Sequence, residues 1–213
     1  VDEQTQTFEY TVSASTGVNY IHFDVQDNSG AISRKTLKIS IGSEEQIASW
    51  NNIELGAQSN DLGSRFASST GVVYKVCDID SNIKFVDITY ASTRTADEPQ
   101  FLSNPERVLQ GYSTTVPASN TDCGGSSTAG GNATYFQEAP VGIDFDAANN
   151  TTLQALSISS TKQSVLVKEG KIYAYSKGSG TKVKKGLIRV KSITKGTAAY
   201  AQGKVVFDVK IQK

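Results

Sequence analysis

The stretch from Tyr20 to Ile41 restricts the fold more than any other part of the chain. Tyr20-Ile21-His22-Phe23-Asp24-Val25-Gln26 alternates with a period of two, Asp27-Asn28-Ser29-Gly30 follows, and Leu37-Lys38-Ile39-Ser40-Ile41 alternates again. Period-two alternation places successive side chains on opposite faces, as in a sheet buried on one side. The intervening residues suit a tight turn, because an Asx side chain caps it and glycine takes positive φ without steric cost. A hairpin is therefore predicted, from strands over Gly17–Gln26 and Ala31–Ile41, with a further strand over Phe8–Ser13. A β-sandwich needs about seven strands, so these three either belong to one whose earlier strands lie upstream or pack on the next domain. The chain lacks methionine even at position 1, and a segment upstream of Val1, carrying earlier strands and at most a lipid anchor, is expected.

Gly42-Ser43-Glu44-Glu45 is a short polar break. It divides the chain into residues 1–43, the C-terminal part of a sandwich, and residues 46–213, a second β-rich domain. Strands are predicted there over Gly71–Cys77, Ile83–Tyr90, Ser164–Val167, Lys171–Tyr175, Gly186–Ile193 and Lys204–Ile211. In the last, Val205, Phe207, Val209 and Ile211 share one face. Two short helices interrupt the β pattern. Asn104-Pro105-Glu106-Arg107-Val108-Leu109-Gln110-Gly111 offers Asn at the N-cap, Pro in the first turn and Gly past the end. Thr151–Ser157 is the second. Residues from Ser113 to Thr134 are almost all Ser, Thr, Gly and Asn and read as a long surface loop. The fold class is all-β: a partial immunoglobulin-like sandwich segment, then a larger sandwich or barrel-like domain with one or two short helices.

Charge is balanced overall but not along the chain. Residues 162–213 hold thirteen Lys and Arg against two acids, and residues 1–161 hold eight against nineteen. Lys182, Lys184, Lys185, Arg189 and Lys191 surround one predicted hairpin, and converging on one acid-free surface they would contact a polyanion. Outward lysines that keep an edge strand from pairing are the alternative account. Adjacent Lys184 and Lys185 must point to opposite faces of a strand, whereas Arg189 and Lys191 share one. No run of about 18 apolar residues occurs, so no membrane-spanning helix is expected.

Chemistry-bearing motifs are sparse. The single histidine, His22, lies on the polar face of its strand, and neither cysteine has a histidine base beside it. Cys77 and Cys123 are expected to pair; the bridge would close a 46-residue loop and contribute roughly 4 kcal/mol in the chain-entropy model. Two separate buried thiols are the alternative. Asp78-Ile79-Asp80-Ser81-Asn82 begins like a calcium loop, but Ile83 and Thr89 stand where Gly and Glu are required, and it reads as a polar strand connection. Trp50 and the nine tyrosines could stack on sugar rings, although Tyr74, Tyr90 and Tyr173 fit strand patterns that bury them. No catalytic residue, metal or cofactor is expected.

Two stretches resemble known modules. Phe23–Gly30 followed by Leu37–Ile41 resembles the final hairpin of bacterial immunoglobulin-like or PKD-like spacer modules. Leu55-Gly56-Ala57-Gln58-Ser59-Asn60, Gly63-Ser64-Arg65-Phe66 and Thr70–Tyr74 resemble the start of a C-terminal domain in Bacteroidetes surface proteins. Gly186–Val190 and Phe207–Lys213 resemble its end. Arg65 departs from that pattern, which has a small residue or Phe there. The resemblance implies an outer-membrane lipoprotein, on the outer-membrane surface or in the periplasm, without assigning any catalytic residue. The function expected is that of a non-catalytic surface module in adhesion or glycan capture, with a specific sugar-binding protein as the alternative. A glycan or another envelope protein would be its partner, and the compartment disfavours nucleic acid.

Overall fold

A computed structural model describes residues 11, 17–41, 46–58, 60–75, 79–112, 130–197 and 199–213. The chain forms two compact units, Val1–Glu45 and Gln46–Lys213. The strand predicted over Phe8–Ser13, both cysteines and most of the Ser/Gly-rich segment lie outside the described residues.

In the first unit β1 (Gly17–Gln26) pairs antiparallel with β2 (Ile32–Ile41), Gly17 opposite Ile41 and Gln26 opposite Ile32. The Asp27 carboxylate organises the turn. It accepts the Ser29 amide at 2.8 Å, the Ser29 hydroxyl at 2.6 Å and the Ala31 amide at 3.0 Å. Gly30 takes the positive φ of 87°. Hydrogen bonding, the Ser29 hydroxyl first, holds the Asp27 carboxyl below its ordinary value. Arg34 and Asp24 face each other across the strands in a two-pronged pair of 2.6 and 2.7 Å, and His22 is exposed and bonded to the Thr36 hydroxyl.

The second unit is an antiparallel β-sandwich. Its first sheet has the order β3 (Ile47–Gly56), β12 (Lys204–Gln212), β11 (Lys184–Thr194), β10 (Ile172–Lys177), β8 (Thr134–Glu138). Its second has the order β5 (Val72–Tyr74), β4 (Arg65–Ala67), β6 (Ile88–Ser92), β7 (Pro99–Leu102), β9 (Ser164–Leu166). One core lies between them: Val205, Phe207, Val209 and Ile211 from β12 meet Phe66, Ile88, Tyr90 and Phe101 from the second sheet. The Phe207 ring packs edge-on against Phe66 and Phe101 at 5.8 and 5.2 Å, the geometry aromatic quadrupoles favour.

Short elements cover the outer faces. Helix α1 (Ile79–Asn82) leads into a 3₁₀ turn at Ile83–Phe85, so the strand predicted over Ile83–Tyr90 is confined to its end. The physical reason is Asp87. Its carboxylate is buried and accepts Ser68 N at 2.8 Å, Ser68 Oγ at 2.7 Å and Lys177 Nζ at 2.6 Å. The Lys84 carbonyl next to it is taken by the Asn132 side chain at 3.0 Å instead of a ladder partner. The Asp87–Lys177 pair ties the two sheets at one end of the sandwich.

Helix α2 (Asn104–Leu109) starts one residue earlier than the sequence suggested. Ser103, not Asn104, is the N-cap, its hydroxyl accepting Glu106 N at 3.1 Å. This helix lies on the second sheet, where Ala91, Leu102 and Tyr112 form a small apolar cluster. Helix α3 (Asn150–Ala155), capped by Asn149, covers the first sheet, with Phe145, Ala148, Leu153 and Leu156 against Ala174 and Leu187.

Candidate functional site

At the end of the sandwich away from Asp87, strand ends and the connections beside them surround a cleft of about 430 Å³. Glu98 comes from the β6–β7 turn and Pro99 from the start of β7, Leu166 from the end of β9 and Val167 to Glu169 from the β9–β10 connection, Ile193 from β11, and Tyr200 from a 3₁₀ turn at Tyr200–Gln202. The apolar lining is Pro99, Leu166, Val167 and Ile193; the polar groups are Glu98, Glu169, Lys168 and Tyr200.

Each wall has a local cause. The β6–β7 turn is closed by Thr93, whose hydroxyl accepts Glu98 N at 3.0 Å while its amide donates to Glu98 O at 2.8 Å. Asp97, in the left-handed region at φ 51°, turns its carboxylate onto the 3₁₀ turn and accepts Tyr200 N at 3.0 Å and Ala201 N at 3.3 Å. Those bonds, that from the Tyr200 amide first, hold the Asp97 carboxyl below its ordinary value. Lys195 Nζ lies 5.3 Å from the centre of the Tyr200 ring, within cation–π range. On the other wall Tyr173 Oη accepts Lys168 N at 2.9 Å, and Glu169 Oε2 accepts Ile193 N at 3.3 Å. The buried Tyr90 hydroxyl has no partner among the described residues. Burial first, then the charges of Tyr200 and Asp97, raise its pKa.

The five basic residues singled out in the sequence have separate surroundings. Arg189 donates to Asp208 at 2.8 Å and to Asp146 at 2.7 Å, and its guanidinium lies 4.4 Å from the centre of the Phe145 ring. Lys191 Nζ binds Asn52 Oδ1 at 2.6 Å and lies 3.8 Å from Asp208. Lys185 Nζ donates to the carbonyls of Gln154 and Leu156 at the end of α3, at 2.8 and 2.6 Å. Lys182 is exposed and Lys184 half-buried, with no ion pair to either among the described residues. Acids therefore adjoin Arg189 and Lys191, and Lys185 is tied to backbone.

Arg189 lies directly opposite Asp208 in the β11–β12 register, and two bulges adjoin the pair. Lys191 is the extra residue of β11 against β12, between Val190 and Ser192. Asn51 and Asn52 of β3 together oppose Asp208 of β12, and Asn52 sits at φ 56°. The Asn52 amide donates to Asp208 Oδ1 at 2.8 Å. Burial pushes the Asp208 carboxyl up, but Asn52, Arg189 and Lys191 outweigh it and hold it below its ordinary value.

Trp50, a candidate sugar platform, serves the fold. Its indole N–H donates to Ser68 O at 2.7 Å, and its ring fills the space where a side chain on Gly71 would be. Tyr90 and Tyr173 are fully buried and Tyr74 is half-buried. Tyr200 was not singled out in the sequence. Its signal was one aromatic residue in a run of small residues, Gly196-Thr197-Ala198-Ala199-Tyr200-Ala201-Gln202-Gly203, between two strands.

Comparison of the chain with protein-family models, with curated proteins and with solved structures gives no match.

Proposed function

We propose that the second unit is a non-catalytic binding module whose cleft takes a carbohydrate. The carrying observation is the cleft itself, in which Tyr200 stands among apolar side chains beside two carboxylates. Sugar rings present C–H faces and hydroxyl edges together. An aromatic face suits the first, and carboxylate acceptors with an ammonium donor suit the second. Glu169 is committed to the Ile193 amide, which fixes it as an acceptor at the wall and favours recognition over acid–base chemistry. Placement on the outer-membrane surface or in the periplasm accompanies this reading, as does a role in adhesion or glycan capture.

A glycan array on the intact chain, followed by calorimetry with the best ligand, tests it. Tyr200→Ala is expected to weaken binding about tenfold, near the upper end of what one aromatic contact supplies. Glu98→Gln is expected to weaken it less. A clean array, or affinity unchanged by Tyr200→Ala, overturns the reading. Hydrolysis of the bound glycan that Glu98→Gln abolishes would replace binding by catalysis.

A further inference from the structure

Beneath α2 the outer face of the second sheet buries two arginines. Arg65, on β4, and Arg107, on α2, are each 1% exposed. Asn104 and Arg107 are three residues apart and so share one helix face. Arg65 Nε reaches Asn104 Oδ1 at 3.4 Å and Arg65 Nη1 reaches Ser64 Oγ at 3.2 Å, while Arg107 Nη1 donates to the Tyr90 carbonyl at 2.7 Å. Every one of these acceptors is neutral. Among the described residues neither arginine is in an ion pair, and Arg107 Nε is buried without any partner.

A guanidinium carries five N–H donors in a rigid fork and no acceptor. Burying one without a counter-charge is strongly unfavourable, and a second beside it adds repulsion. Burial lowers the Arg65 pKa to about 10, leaving it charged at neutral pH. Burial first, and then the charge of Arg65, lower that of Arg107 well below its ordinary value. Deprotonation is the expensive escape for an arginine. A counter-ion is the other.

We propose that Arg65 and Arg107 form an internal site for one tetrahedral dianion, inorganic phosphate or sulfate. Two positive charges match a dianion, and the planar fork matches two oxygens of a tetrahedral group, so each arginine contributes one two-pronged contact. Enclosure of both side chains makes the occupant an ion held within the fold rather than the tip of an exposed ligand. The site is separate from the cleft and does not depend on its occupant.

The test starts from protein dialysed exhaustively into chloride buffer. Equilibrium dialysis with radiolabelled phosphate, and separately with radiolabelled sulfate, is expected to show one ion per chain, each displacing the other. Thermal unfolding at matched ionic strength is expected to show a saturating rise, roughly 5 °C or more at a hundredfold excess over Kd. Arg107→Met removes the repulsion with the charge, so it is expected to fold in chloride, to bind neither ion and to lose the rise. Arg65→Gln is the second variant, with the same expectation, should Arg107→Met not fold. Sulfate and phosphate also stabilise proteins non-specifically; an equal rise in wild type and variant, or no retained ion in the wild type, overturns the proposal.

Discussion

On the outer face of the β3–β12–β11–β10–β8 sheet, Arg189 meets Asp208 and Asp146, and Lys191 stands beside the same Asp208. On the outer face of the other sheet, Arg65 and Arg107 meet neutral oxygens only. Both faces are roofed by a short helix and its flanking loop, and both place arginine under or beside that roof. The difference lies in who supplies the negative charge. Where the chain supplies it, the cations are neutralised within the fold whichever anion the solution holds. Where it does not, stability is coupled to the solution.

The comparison has a common floor, and breaking it should have the largest effect. Phe207 touches both Phe66 and Phe101 across the core. Phe207→Ala is expected to cost about 3–5 kcal/mol in urea denaturation, irrespective of which anion is present. A loss much below that would mean the two sheets do not share one core.

Next comes the acid-paired face. Asp208→Asn removes the buried one of Arg189's two carboxylate partners and leaves Lys191 without its nearest acid; a loss of about 2 kcal/mol is expected at neutral pH. The pH dependence sharpens this. The folded carboxyl titrates below the ordinary value of 3.8, so the unfolded chain binds its proton first as pH falls. Its contribution is complete above that value and disappears as pH drops through the lower, folded one. Wild type and Asp208→Asn should therefore converge in stability as pH falls below about 4; a gap that persists undiminished to pH 2 would show that the carboxylate charge is not what stabilises this face. Arg107→Met on the other face should show no such loss in chloride.

The smallest effect separates two lysines of the basic hairpin. Lys185 binds the last carbonyls of α3, where a cation is favoured by the unpaired carbonyls and the helix dipole. Lys185→Ala is expected to cost about 0.5 kcal/mol. Lys182→Ala, at an exposed position with no ion pair among the described residues, should cost clearly less than Lys185→Ala when the two are measured side by side. Equal losses would imply that Lys182 too has a structural partner.

Much of the fold can be read from alternation, since β1, β2, β10, β11 and β12 are long enough to show period two. The strands that escape are β3, β4, β7 and β8. In β3 the bulge at Asn51–Asn52 puts the pattern out of phase. β4 has three residues and β7 has four, beginning with Pro99, too few for a period to register. β8 has five residues and begins at Thr134, where the Ser/Gly-rich segment ends, and it too is short for a period to register. The cleft is harder still: Glu98, Glu169 and Tyr200 come from three separate connections and Ile193 from the end of β11, and only strand order brings them together. Arg65 illustrates the remaining difficulty. Alternation with Phe66 places it on the outward face of its strand, which reads as solvent until a helix from elsewhere covers it.

The bulge on β3 also bears on how the second unit behaves when crowded. Among the described residues β3 is an edge strand of ten residues, long enough to offer another molecule a ladder of amides and carbonyls. Two residues opposing one at Asp208 break that ladder midway and bend the strand. An incoming strand could match the register on one side of the kink or the other, but not on both. The asparagine pair that draws a lysine and an aspartate together therefore also protects the protein against joining its neighbours edge to edge.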